Sequence, residues 1–353
     1  MTIDMAGTVR DEDALPLDTI KAYLCNVLDD FNGTENLDIL QYPAGASNLT
    51  YELKLPSRSI ILRTAPKGAN IKSAHDMGRE FQVLSRLGKH FTYCPRPVAH
   101  CTDDSVIGRE FYLMEKIEGM IPRQKMPTDY QPEQLTALCQ QMMDIQLELH
   151  QIDIKDTGLI EMGKPIGYVE RQVTGWCERY RNARTDDVPD GNALMTWLTD
   201  HQPDDSYAKA EQASFIHNDY KLDNIVLDSH QPDRIISVLD WEMATVGDPL
   251  MDLGNSMAYW INANDSGPMQ HLALMPTRDE GMLTREGLVD YYLSNSGLSI
   301  KSFDYYHCFG LFRLAVIAQQ IYKRYKEGKT TNPKFAAFGQ FVQILIGATK
   351  RYY

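Results

Sequence analysis

The 353-residue chain is too long for one small core, so two lobes are expected. Its 43% hydrophobic and 24% charged residues suit a soluble globular protein, and a formal charge of −13 disfavours nucleic acid as the main partner, because phosphate backbones repel such a surface. The acidic opening "MTIDMAGTVRDEDALPLD" lacks the basic start and apolar centre of a secretory leader. The best candidate for a membrane span, residues 309–322, is broken by Arg313 and two glutamines. No membrane association is expected, and the cytoplasm is the expected location. Six cysteines without CxxC spacing and nine histidines without an HExxH pair predict reduced core thiols rather than a zinc site or a disulfide frame.

Residues 14–31 predict an amphipathic helix. Three short strands follow within 37–66, turning at "PAGAS" and "LPSRS". Residues 74–88 carry Phe81, Leu84 and Leu87 at helical spacing and stop at Gly88. "CPRPVAHC" is expected to be an extended, proline-punctuated link, and residues 108–119 a strand closed by Gly119. The character changes beyond residue 119: Leu138, Met142, Ile145, Leu149 and Ile152 make a helical stripe, residues 168–183 form a helix around Trp176, and 280–353 is mostly helical. The expected fold class is therefore α+β. A small antiparallel-sheet lobe over 1–118 precedes a larger, mostly helical lobe over 119–353.

One hairpin interrupts the helical region. "NIVLD" (224–228), the turn "SHQPD" and "RIISVLD" (234–240) predict two paired strands, which bring Asn224 beside Asp240, with Asp219 one loop away. A carboxylate and a carboxamide at a hairpin mouth suit Mg²⁺, which takes hard oxygen ligands together with substrate phosphates. A further carboxylate off the metal suits a base for a hydroxyl nucleophile. Asp and Asn also mark ordinary turns, but His217 before Asp219, the apolar hairpin after Asn224 and "LDWE" at its end favour catalysis. His217 itself is expected to hold the loop rather than to shuttle protons.

The segments "FIHNDYKLDNIVLD" and "VLDWEMATVGDPLMDLG" resemble the aminoglycoside phosphotransferase and kinase-like superfamily, whose loop reads roughly H-G-D-x-x-x-x-N. The likeness runs through nearly the whole chain: "GASNLTYEL" resembles the nucleotide loop, "IILRTAP" the third strand, "GREFQVL" the glutamate-bearing helix and "YLMEKIEG" the hinge. "LRTAP", "AHDMGREF", "LHQID" and "GYVERQVTGW" resemble one branch, the phosphotransferase domains found alone in bacteria or fused to acyl-CoA dehydrogenases. This resemblance implies a bilobal kinase-like fold using ATP and Mg²⁺, with Asp219 as catalytic base and Asn224 and Asp240 as metal ligands. Gly45, Ser47 and Asn48 would lie along the triphosphate, Arg63 and Glu80 would form the phosphate-gripping pair, and the Glu115 carbonyl and Ile117 amide would meet adenine. Asp252 corresponds to an aspartate that braces the loop, or it caps the helix after Pro249.

The chain departs from that pattern at three places. Arg63 stands where lysine is usual; it keeps the charge in a fork-shaped geometry. Glu80 is its expected partner, although Arg79 next door offers a surface ion pair instead. Asn218 replaces glycine, and asparagine is the residue that next best tolerates a positive φ. "DWE" replaces the kinase D-F-G and leaves Glu242 open between metal, substrate and a cap. No A-P-E segment follows, so a small hydroxylated molecule is expected as acceptor rather than a protein. The branch points to a hydroxyacyl compound or hydroxyacyl-CoA. The alternatives are an aminoglycoside or other amino-alcohol, and, in another class, a nucleotide-binding scaffold without activity. The basic stretches 323–334 and 349–353 speak for an anionic substrate, or are solvated helix ends.

Overall fold

Alternating apolar residues in the first hundred positions build a sheet with one mainly apolar face. The computed structural model of the protein describes residues 6–43, 48–66, 76–203, 213–330 and 332–353. The strands among them are β1 (Asp38–Gln41), β2 (Leu49–Lys54), β3 (Ser59–Thr64), β4 (Pro97–Cys101), β5 (Phe111–Glu115), β6 (Ser214–Ile216), β7 (Ile225–Leu227), β8 (Ile235–Val238) and β9 (Thr245–Gly247). The chain divides into two units: Met1–Ile121 with Asn224–Glu242, and Pro122–Asp223 with Met243–Tyr353.

In the first unit β1 to β5 form one antiparallel sheet in the order β1-β2-β3-β5-β4. Its registers align Tyr51 with Leu62 and Leu62 with Leu113, so these side chains share a face. With Leu53, Ile60 and Phe111 they bury against Ile20 and Leu24 of α1 (Leu17–Val27), which is shorter than the 14–31 predicted. The other face carries Ile61, Arg63, Tyr112 and Met114 and receives α2 (Met77–Leu87). Residues 97–101, expected as a link, are the edge strand β4. Proline is tolerated as its first residue because an edge strand needs no N–H on its outer side. The one-turn helix α3 (Asp104–Ile107), capped by Asp103, leads into β5. The predicted hairpin is β7 and β8, with Ile225 opposite Val238. It belongs to this unit, and Met120 and Leu227 exchange both backbone hydrogen bonds, at 2.8 and 2.7 Å. Gly119 is needed there, since a Cβ would strike Val226 and the Leu227 carbonyl.

The second unit contains α4 (Pro132–Gln151), α5 (Tyr168–Ala183), α6 (Asn192–Asp200), α7 (Pro249–Tyr259), α8 (Gly267–Gln270), α9 (Arg285–Ser296), α10 (Asp304–Lys326) and α11 (Phe338–Thr349). The predicted stripe on α4 is buried from Leu138 to Leu149, and two polar residues, Gln146 and His150, are buried beside it. α7 crosses α10 at Gly254 and Gly310, where a methyl group on either would collide with the other helix's backbone. The short antiparallel pair β6–β9, absent from the sequence-based expectation, anchors the segment before Asp219. Among the described residues no helix is long and apolar enough to cross a membrane.

Candidate active site

β3 places Arg63 on the α2 side of the sheet, opposite Tyr112 in register. α2 is capped by Asp76, which accepts the Arg79 N–H at 2.8 Å and so puts Glu80 in the first turn facing that strand. Arg63 Nη1 donates to Glu80 Oε1 at 2.7 Å; the two residues are 9% and 1% exposed. Glu80 is thus an interior partner of Arg63, not part of a surface pair with Arg79. Burial pushes the Glu80 pKa up, while the guanidinium pulls it down. The second arm of Arg63 reaches Asp240 Oδ1 at 3.1 Å and Glu242 Oε2 at 3.4 Å. Glu242 also accepts from Asn48 Nδ2 at 2.7 Å, which ties the start of β2 to the end of the hairpin. Glu242 is therefore no simple helix cap.

The hairpin fixes Asp240 through its neighbours. Leu239 N donates to the Asn224 carbonyl at 2.8 Å, the Trp241 indole N–H donates to the Val238 carbonyl at 2.8 Å, and the Trp241 ring stands edge-on to Phe91. Asp240 itself has φ of 68°, a left-handed conformation that costs a non-glycine residue about 1–3 kcal/mol. Its side chain is 35% exposed, so the carboxylate remains reachable. Asn224 and Asp240 offer hard oxygen donors, a set that fits Mg²⁺ completed by phosphate and water oxygens.

In the second unit the loop His217–Asp223 hangs on one buried carboxylate. Asp252, 0% exposed on α7, accepts the backbone N–H groups of His217 at 3.3 Å and Asn218 at 2.5 Å. His150 Nε2 lies 3.0 Å and Gln146 Nε2 3.2 Å from Asp252 Oδ2, the oxygen that takes the His217 N–H, and His150 Nδ1 meets the Tyr292 hydroxyl at 2.6 Å. Burial works against the Asp252 charge, but its hydrogen bond to His150 and the fields of His150 and His217 hold the pKa below the ordinary value. The cap of α7 is Asp248, whose Oδ1 accepts from Leu250 N and Met251 N, so Asp252 braces the loop rather than starting the helix. Asn218 takes φ of 66°, as its place of a glycine predicts. Its Oδ1 accepts from the Tyr168 hydroxyl and Asn255, and its Nδ2 donates to the Met243 carbonyl. His217 is wholly buried and accepts the Asp219 N–H on Nδ1, a holding role.

Asp219 Oδ2 lies 2.6 Å from Lys221 Nζ, which also sits 4.7 Å above the Tyr259 ring. Lys221 went unremarked in the sequence, although a cation two positions past a candidate base was there to be read. Gln146 and His150 were missed too; two polar residues one turn apart beside an apolar stripe were their signal. Of the remaining expected residues, Gly45 and Ser47 lie outside the described residues. Asn48 is 3% exposed at the head of β2. Glu115 ends β5, donating its N–H to the Arg96 carbonyl and accepting the Arg96 N–H on its carboxylate, both at 2.9 Å, and half-buried Ile117 follows two residues later. The structure thus gathers Asn48, Arg63, Glu80, Asp240 and Glu242 into one cluster of the first unit, with Asn224 joined through its backbone.

The sequence profile of the phosphotransferase enzyme family, APH, matches residues 38–282. The chain is 31% identical over 344 residues to mouse acyl-CoA dehydrogenase family member 10, covering 96% of this chain and 31% of that protein. It is 32% identical over 331 residues to family member 11 from Pongo abelii, covering 93% of this chain and 42% of that one. The chain therefore spans less than half the length of these relatives. A crystal structure from Ralstonia eutropha JMP134, provisionally described as an aminoglycoside phosphotransferase, superposes with a TM-score of 0.79 at 28% identity, covering 96% of this chain and 99% of that one. The small antiparallel sheet and the helical remainder are the bilobal α+β kinase-like fold, and the chain belongs to the phosphotransferase enzyme family.

Proposed function

We propose that the protein transfers the terminal phosphoryl group of ATP, with Mg²⁺, to an alcohol group on a small molecule. The observation that supports this most is the Arg63 cluster. A buried guanidinium anchored on Glu80 at 2.7 Å, with its other arm on Asp240, is preorganised to grip phosphate and to counter charge developing on it. Asn224 and Asp240 would hold Mg²⁺, which when bound neutralises part of the triphosphate charge. Asp219 would take the proton of the acceptor hydroxyl, with Lys221 fixing the orientation of its carboxylate. The Glu115 carbonyl and Ile117 amide would meet adenine, and Gly45, Ser47 and Asn48 the phosphates.

For the acceptor we propose a hydroxylated acyl compound, a hydroxy acid or its coenzyme A ester. Similarity to two proteins named for acyl-CoA dehydrogenation supports this over an amino-alcohol. The test is a panel of hydroxy acids, hydroxyacyl-CoA esters, amino-alcohols and aminoglycosides scored for ADP release and for a phosphorylated product. Asp219→Asn should abolish transfer while calorimetry still shows ATP binding. Undiminished turnover in that variant would remove Asp219 from the chemistry. ATP binding without transfer to any acceptor would favour a scaffold.

A further inference from the structure

Arg313, on α10, is 3% exposed, yet among the described residues it forms no ion pair. Its hydrogen-bond partner is the Met243 thioether, 3.4 Å from Nη2, and its Cζ lies 5.2 Å from the centre of the Trp176 ring. A buried charge normally requires an opposite charge or several good acceptors, and a sulfur and an aromatic face replace neither. The surroundings are those of the Asp219 loop. Arg313 acts electrostatically on Tyr168 and Tyr259; Tyr168 bonds Asn218, and Tyr259 lies under Lys221, the partner of Asp219. Met243, the residue against the guanidinium, is 38% exposed, and its unbranched chain can swing aside at little cost. The basic stretch near residue 325 offers no comparable site, because Lys323, Lys326 and Lys329 are engaged by Glu327 and Asp187.

We propose that Arg313 is the counter-ion for an anionic group of the acceptor molecule, received between Trp176 and Tyr259 when Met243 moves away. The inference rests on the phosphotransferase reading and narrows its acceptor to molecules carrying a carboxylate or phosphate. A guanidinium takes either, through two parallel N–H donors.

The experiment compares positional isomers of hydroxyoctanoate, their methyl esters and their coenzyme A thioesters as acceptors for the wild type, Arg313→Gln and Arg313→Lys. The wild type should use a charged acceptor in preference to the neutral ester. Use of the free acid identifies a carboxylate, and use of the thioester identifies the coenzyme's phosphates. Arg313→Gln should raise the acceptor KM by roughly tenfold to a hundredfold. The KM for ATP should not change, and Arg313→Lys should recover part of the loss. Equal use of acid, thioester and ester by the wild type overturns the proposal without any variant, as does an unchanged acceptor KM in Arg313→Gln. Should no acceptor be phosphorylated, the phosphotransferase reading fails separately. Calorimetric titration of hydroxyoctanoate and its thioester then decides: binding lost in Arg313→Gln upholds the anion site, and equal or absent binding in both proteins rejects it.

Discussion

Removing the Arg63 guanidinium would leave Glu80, 1% exposed, without the cation that stands 2.7 Å from it. Breaking such a buried pair costs about 3–5 kcal/mol, so Arg63→Met should lower the melting temperature markedly. The loss should depend on pH. The Glu80 pKa is already raised in the fold, so its contribution is greatest at low pH and fades as pH climbs through the raised value. Without Arg63 it rises further, and the variant should approach the wild type in acid and lag most in alkali; a gap constant with pH would contradict this. Arg63→Lys should keep the charge but not the three-way contact, because an ammonium cannot face Glu80, Asp240 and Glu242 as a planar fork does. We expect KM for ATP in the order wild type, Lys, Ala, measured by steady-state kinetics with ATP varied. An Arg63→Ala enzyme matching the wild type would leave Arg63 a structural residue only.

At the start of α7, two carboxylates one turn apart, the cap Asp248 and the helical Asp252, respond to pH in opposite directions. Asp248 caps the helix with two neutral N–H partners, and burial pushes its pKa up to about 6. Its stabilising contribution is complete below the ordinary carboxylate range and is lost as pH rises through about 6. Asp252 has His150 beside it and a lowered pKa, so its contribution is present above that range and is lost on acidification. Urea unfolding followed from about pH 4 to pH 8 should show Asp248→Asn flattening the alkaline side alone. Asp252→Ala should cost more than about 3 kcal/mol, since the His217 and Asn218 N–H groups lose their acceptor together. At the crossing with α10, Gly310→Ala should destabilise by about 1–3 kcal/mol through a forced separation of the helices. The sequence shows α4, α5 and the hairpin well, because each carries its own periodicity or turn chemistry. It shows β4 and the β6–β9 pair poorly, since three to five residues hold too little pattern and their pairing is decided by distant strands. For the same reason the residues within one motif were legible, Lys221 among them by its place two positions past Asp219, whereas the Asn48–Glu242 bond and the lone charge of Arg313 arise only from the folded chain.

For the molecule as a whole, Mg-ATP should act as a ligand of the native state only. At a free concentration near one hundred times Kd it should add about 2.7 kcal/mol, visible as a higher melting temperature. Asp240→Ala should lose most of that shift with Mg²⁺ present; the same shift in both proteins would count against Asp240 as a ligand. The division of the chain also bears on how it is made. The first unit is discontinuous: Met120 pairs with Leu227, Val238 N donates to the Tyr93 carbonyl at 2.6 Å, and Trp241 stands against Phe91. On the ribosome, residues up to Ile121 emerge with a sheet but without the strands, indole and carboxylates that finish it. At synthesis rates of about 5–20 residues per second, the nascent sheet waits on the order of ten seconds for its missing part. During that interval Gly119, Met120 and Phe91 present an unfinished apolar seam, and the helices from Pro122 to Asp223 are translated before it closes. A nascent chain halted just after Ile121 should therefore be cut readily by protease, and one halted well beyond Glu242 should resist.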